Sequence, residues 1–420
     1  MSKKKYYFED PVARGLIQAL GTKKARRNMS YFIGNMTFFG DKVIKDQFRT
    51  ILPILSKKKR VFIVTGKTTI KLCGPVEKVL KKAKFEYKIW NEIEPVLPIE
   101  NIKKGVEALR EFDADLIITV GGGSVMDTAK GIWILYERPN IDLYDVQPLV
   151  PIKLQKVKFV AIPTSSGSGS EATTATVLTD TSFTPPRKVS IISLETIPHV
   201  TILETSMVQT MPPKLVVGSG FDALSHATNA YISHWCTPYT EAFAIKAIKL
   251  IFEYLERSYK DPEDLDAKYY MHIASNMAAF ATSNSAPALD HAFAHTMELV
   301  FKTHHGLGCG IFAPYCIQYV AKTSDRYLDL AKDLGIQANS NEEYLKKLVN
   351  KYQELMKKVD TPLTIKEWGI DEKEFKEKLQ LLAETAFNDG ASWFSPRPDY
   401  DFEACKKIFE YAYDGKKIDF

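Results

Sequence analysis

The spacing of apolar residues changes part-way along the chain. In the first half, short apolar runs alternate with longer stretches in which apolar side chains recur every three or four positions. Val61-Phe62-Ile63-Val64 is a largely β-branched run closed by Thr65-Gly66, and Tyr87 to Trp90, Leu116 to Val120 and Phe159 to Pro163 are similar runs. Leu116-Ile117-Ile118-Thr119-Val120 lacks polar alternation, as expected of a strand buried on both faces of a parallel sheet. Between the first two runs, Val76, Val79 and Leu80 share one helical face while Lys78, Lys81 and Lys82 occupy another. Residues 102–112 form a second helical pattern. This alternation predicts an α/β domain with a doubly wound, mostly parallel sheet of the Rossmann-like kind. After Met211-Pro212-Pro213 the pattern is helical, over 214–231, 240–259, 264–284 and 290–301. Proline stiffens a linker and is tolerated in a first helical turn. The expected division is therefore an α/β domain over 1–212 and an all-α domain over 213–420.

Two polar segments interrupt the α/β pattern. Gly121-Gly122-Gly123-Ser124 follows the buried strand and opens a helical stretch through Lys130. Glycines let the backbone approach a bulky anion, and a helix start offers unpaired N–H groups, so the turn is a pyrophosphate cradle with Ser124 as a possible cap and donor. It is not the GxGxxG fingerprint. Pro163 to Glu171, rich in Thr, Ser and Gly, follows the next strand and lies where open α/β sheets bind ligands.

The helical half carries metal-ligand chemistry. Asp222 and His226 are four residues apart, as are His291 and His295, and His305-Gly306 follows. On a helix this spacing aligns both members of a pair on one face. Carboxylate and imidazole suit divalent iron or zinc, and three imidazoles with one carboxylate leave coordination open for substrate. His199, His234 and His272 have no such company, and His304 is set apart only by adjoining His305.

Together these segments resemble the iron-dependent (group III) alcohol dehydrogenase family: Gly121 to Lys130, Pro163 to Glu171, Gly220 to His226, and the series His291, His295, His305-Gly306, in the family's order and spacing. The resemblance covers residues 31–320. It implies that Asp222, His226, His291 and His305 hold one divalent metal, Fe2+ ahead of Zn2+. It implies that His295 relays a proton beside the nicotinamide, and that Gly122, Gly123 and Ser124 hold the pyrophosphate of a dinucleotide bound to the 1–212 domain. Thr164, Ser165 and Thr173 match cofactor contacts, and Lys188 matches a lysine near the nicotinamide-side ribose. The implied reaction is hydride transfer between NAD(P)(H) and a small alcohol or aldehyde, by a homodimer in which the strand-like region from Tyr31 to Phe39 pairs with a second subunit. Glu94 stands where the family has asparagine, Asn229 where glutamate is frequent, and Leu203-Glu204 where Asp-Pro is common. NAD-preferring relatives commonly have aspartate at the position of Gly66. Without that carboxylate, and with Lys67 beside it, NADP(H) is the expected cofactor, with NAD(H) the alternative.

Composition narrows the alternatives. The 420 residues carry a net charge of only +5, and the basic runs Lys3–Lys5 and Lys57–Arg60 accompany no nucleic-acid-binding pattern. Five cysteines, at 73, 236, 309, 316 and 405, show no CxxC spacing, which disfavours a disulfide framework or a cysteine zinc site; Cys309 is read as a packing residue. The start lacks an apolar signal core and no apolar run reaches ~18 residues, so a cytoplasmic protein without membrane contact is expected. A cyclase resembling dehydroquinate synthase would need clustered Lys and Arg for a phosphorylated substrate, yet Lys302 is the only Lys or Arg between Asp290 and Cys316. Glycerol or glycerol phosphate oxidation remains the alternative within the dehydrogenases. A regulatory protein that had lost its chemistry would lack ligands that this chain retains.

Overall fold

The computed structural model describes residues 10–20 and 32–420, apart from 95, 149, 184, 185 and 398. The basic run Lys3–Lys5 and Tyr31 lie outside the described residues. The chain forms two compact units, one of Ile33–Met211 and the other of Pro212–Phe420 with the described N-terminal residues.

The first unit is built on six parallel strands: β1 (Met36–Gly40), β2 (Arg60–Thr65), β3 (Glu86–Trp90), β4 (Leu116–Gly121), β5 (Lys158–Pro163) and, later in the chain, β8 (Val200–Glu204). Their order is β1-β8-β5-β4-β2-β3. Thr65 pairs with Val120, and Gly121 with Pro163, so the C-terminal ends of β2, β4 and β5 lie level. Every residue of β4 is buried, in keeping with its unbroken apolar character. Helices Gly74–Lys82, Ile99–Phe112 and Gly123–Glu137 supply the connections. Val76, Val79 and Leu80 join the core formed by Val61, Ile63, Ile118 and Ile162. Three elements were not foreseen: β8, and the antiparallel hairpin of β6 (Ala175–Asp180) and β7 (Arg187–Ile192). β1 pairs with β8 at one edge of the sheet.

The second unit is helical: Pro213–Ile232, Pro238–Lys260, Leu265–Ser283, Leu289–Phe301, His305–Val320 and further helices to Phe402–Asp414. Pro213 takes the first helical position, where its missing N–H costs nothing. A core of Phe293, Phe312, Phe375, Leu382 and Phe409 joins these helices to the C-terminal hundred residues. The N-terminal helix Pro11–Leu20 belongs to this unit, with Arg14 donating to the Phe387 carbonyl at 3.3 Å and lying over the Phe387 and Trp393 rings. Among the described residues, no helix is long and apolar enough to cross a membrane.

Candidate metal centre and nucleotide cradle

Three helices of the second unit bring the predicted ligands together. Asp222 and His226 lie on Pro213–Ile232, His291 on Leu289–Phe301, and His305 at the first residue of His305–Val320. Close approach depends on Gly306: a Cβ there would stand 2.0 Å from the Gly218 carbonyl oxygen and 3.0 Å from Asp222 Cβ. Asp222 Oδ1 is 3.8 Å from His226 Nδ1, 3.7 Å from His291 Nε2 and 3.5 Å from His305 Nε2. These gaps exceed hydrogen-bonding distance, and Asp222 Oδ1, His226 Nδ1 and His291 Nε2 are buried with no hydrogen-bond partner. Bonds of about 2.0–2.1 Å to one tetrahedral ion would separate ligand atoms by roughly 3.4 Å. Buried polar atoms without partners at such spacing fit a shared divalent cation.

The surrounding charges agree. Burial works against charge on Asp222, yet His226, His291 and His305 hold its carboxyl well below the usual range. Burial opposes charge on His291 too, but Asp222 and Asp290 on either side push its pKa up to about 10. Burial depresses His226 to about 4 despite Asp222.

A second ring of contacts, invisible in the sequence, fixes the ligands. His291 Nδ1 meets Asp290 Oδ1 at 3.0 Å, and Asp290 in turn accepts from Ser225 Oγ at 2.7 Å and Asn229 Nδ2 at 2.6 Å. Asn229, the departure from the family's glutamate, is here a donor to a buried carboxylate. His295 faces away from this ring: its Nδ1 meets Asp389 Oδ2 at 3.0 Å, and its ring stacks on His305 with centroids 4.8 Å apart. Burial opposes charge on Asp389, but His295 keeps its carboxyl below the usual range. Cys309, expected to pack, is fully buried and lies in one donor group with Asp222, His291 and His305; their ligand atoms lie within 4.8 Å of one another. Its four-residue spacing from His305 was the signal. His304 is exposed and packs over Gly218 outside this group.

In the first unit, the glycine turn and the polar loop meet. A Cβ on Gly122 would stand 3.1 Å from Ser165 Oγ, and one on Gly123 would stand 2.7 Å from Ser168 Oγ. Thr164 donates its N–H to the Gly121 carbonyl at 3.0 Å. Gly122 is the N-cap and no side chain caps the helix; Ser124 therefore sits inside the first turn rather than capping it. Sequence reasoning missed what ties this cradle together. Asp127 accepts from Ser170 Oγ at 2.7 Å and from the Val177 N–H at 2.9 Å, while Lys130 Nζ donates to the Thr173 and Ala175 carbonyls at 2.8 and 2.9 Å. Burial brings Lys130 down to about 8, opposed by Asp127. Burial raises Asp127, opposed by Lys130 and, more weakly, Lys188 of β7. Thr173 is thus held by Lys130. Gly66, just beyond β2, donates its N–H to Thr69 Oγ1 at 2.9 Å, and Lys67 follows it. Glu94 pairs with Lys104 at 2.8 Å.

One unit thus carries a parallel α/β sheet with a glycine cradle and the other a helical cluster of candidate metal ligands, and comparison with known proteins places the chain. Residues 36–205 match the model of the iron-containing alcohol dehydrogenases, and residues 216–413 match that of the C-terminal region of the Fe-containing alcohol dehydrogenase family. An NADPH-dependent butanol dehydrogenase of Clostridium saccharobutylicum is 39% identical over 370 residues, covering 87% of this chain and 94% of its own length. An NAD-dependent methanol dehydrogenase of Bacillus methanolicus is 30% identical, covering 88% and 96%. A solved 1,3-propanediol oxidoreductase superposes with a TM-score of 0.84 at 28% identity, covering 92% of this chain and all of that one. The chain belongs to the iron-containing alcohol dehydrogenase family.

Proposed function

We propose that the protein is a cytoplasmic, homodimeric, metal-dependent dehydrogenase that passes a hydride between NADP(H) and a small alcohol or aldehyde. The observation that carries this reading is Asp222 Oδ1, buried and without a hydrogen bond, with three imidazole nitrogens at 3.5–3.8 Å. Asp222, His226, His291 and His305 would hold the ion, Fe2+ before Zn2+. When bound, that ion supplies Lewis acidity toward the substrate oxygen and the nicotinamide supplies or accepts the hydride.

The remaining work falls to the chain. Asp389 accepts from His295 Nδ1, which leaves Nε2 to take or return the substrate's proton. Asp290 fixes the ring orientation of His291. Gly122, Gly123 and Ser124 offer backbone amides to the pyrophosphate, with Thr164, Ser165, Thr173 and Lys188 as further cofactor contacts. The preference for NADP(H) is supported by Gly66 and Lys67, and by the cofactor named for the butanol dehydrogenase relative. A carboxylate at position 66 would repel a 2′-phosphate.

The test is an anaerobic assay, following NAD(P)H absorbance, of short alcohols, diols and aldehydes with the metal-reconstituted protein. Turnover is expected with NADPH, with kcat/KM at least about tenfold above that for NADH, a difference of 1.4 kcal/mol, and Gly66→Asp is expected to reverse that order. Chelation is expected to abolish turnover while cofactor still binds by fluorescence titration. A metal-free preparation that turns over fully, or a wild type that favours NADH, overturns the corresponding half of the reading.

A further inference from the structure

The donor group at the metal centre contains an atom that the Asp/His set does not account for. Cys309 lies one turn beyond His305 on helix His305–Val320. Its side chain is fully buried, with Sγ 3.6 Å from His305 Nε2. Sγ, Asp222 Oδ1, His291 Nε2 and the His305 nitrogen form one compact group. Two of those atoms, Asp222 Oδ1 and His291 Nε2, are buried without hydrogen-bond partners. His226, whose nearest recorded nitrogen is 3.8 Å from Asp222 Oδ1, lies outside this tighter set.

We propose that Cys309 is an additional ligand, so that this chain's metal centre takes a sulfur donor alongside Asp222, His291 and His305. The inference rests on the reading that this cluster holds a divalent ion. As the sulfur–metal bond forms, the thiol proton leaves to solvent and no redox change is involved. Among the described cysteines, Cys73, Cys236, Cys316 and Cys405 lie outside the group, so a sulfur signal at the ion reports on Cys309.

The experiment uses the full chain, stripped of metal and reloaded with Co2+. Cobalt content is measured by elemental analysis and the absorption spectrum recorded. A near-ultraviolet sulfur-to-cobalt charge-transfer band is expected in the wild type. It should vanish in Cys309→Ala and Cys309→Ser while about one cobalt per chain remains. If neither variant folds, zinc X-ray absorption on the wild type decides: a sulfur shell at about 2.3 Å supports the proposal, and a purely nitrogen and oxygen shell at about 2.0–2.1 Å overturns it. Stoichiometric cobalt without the band, or a band that persists without Cys309, also overturns it. A wild type that binds no cobalt at all overturns the underlying metal reading as well, and the elemental analysis distinguishes that case.

Discussion

Residue by residue, the centre is organised around the buried carboxylate of Asp290. It touches no proposed first ligand except His291, yet it accepts from Ser225 and Asn229 and so aligns that ring. Removing it should leave His291 free to rotate and weaken metal binding by about 10–100-fold. A chelator competition on Asp290→Ala measures this, and unchanged affinity would reject the role. The candidate residues stood out because helical pairing leaves a trace in spacing: Asp222 with His226, and His291 with His295. Asp389 left none, since it meets His295 from 94 positions away. Ser225 and Asn229 are legible only once the helix face is known. A different residue contributes to acid stability. His199 accepts a hydrogen bond from the Phe159 N–H at 3.2 Å, and burial beside Lys158 lowers its pKa to about 4. Unfolded histidine titrates near 6.5. Between those values the unfolded chain binds the extra proton, so this contribution is present above about pH 6.5 and is lost as pH falls towards 4. Tm should drop by a few degrees over that window, and His199→Asn should flatten the slope.

Among the elements, close helix packing decides whether a metal site exists. Gly306 faces Gly218, Gly308 faces Ala294 and Gly310 faces Phe221, so three helices meet over small residues. A methyl group at 306 collides with backbone, which cannot rotate aside. Gly306→Ala should therefore cost about 1–3 kcal/mol or more in urea unfolding and lower metal occupancy. A variant as stable as wild type would contradict the packing argument. Strands β2, β4 and β5 were visible as apolar runs because their burial is nearly complete. The β6–β7 hairpin escaped notice because its burial alternates, and its position depends on Lys130 and Asp127 reaching out from another helix. β8 is five residues long and its register with β5 rests on two pairs. Nothing local marks it as a strand of the main sheet.

For the whole molecule, the edge strand β1 bears on assembly. Met36 and Phe39 are 57% and 55% exposed on it, an unusual display of apolar surface on a strand that is, among the described residues, at the edge of its sheet. Light scattering should give twice the chain mass, and Met36→Glu with Phe39→Glu should shift the population towards monomer. A wild type that is monomeric at micromolar concentration would reject the homodimer. The family was readable from ordered motifs alone, whereas the packing of the last hundred residues was not. Their core contacts with Phe293 and Phe312 span long separations.

The pairing of Met36 with Val200 also bears on biosynthesis. Among the described strands, the first to leave the ribosome has its neighbour among the last residues of the same sheet, so it must wait for most of the first unit to be translated. Until then a sticky hydrophobic ribbon is left to the care of chaperones, and nascent chains halted before residue 200 should be the ones that trigger factor or its equivalents hold longest.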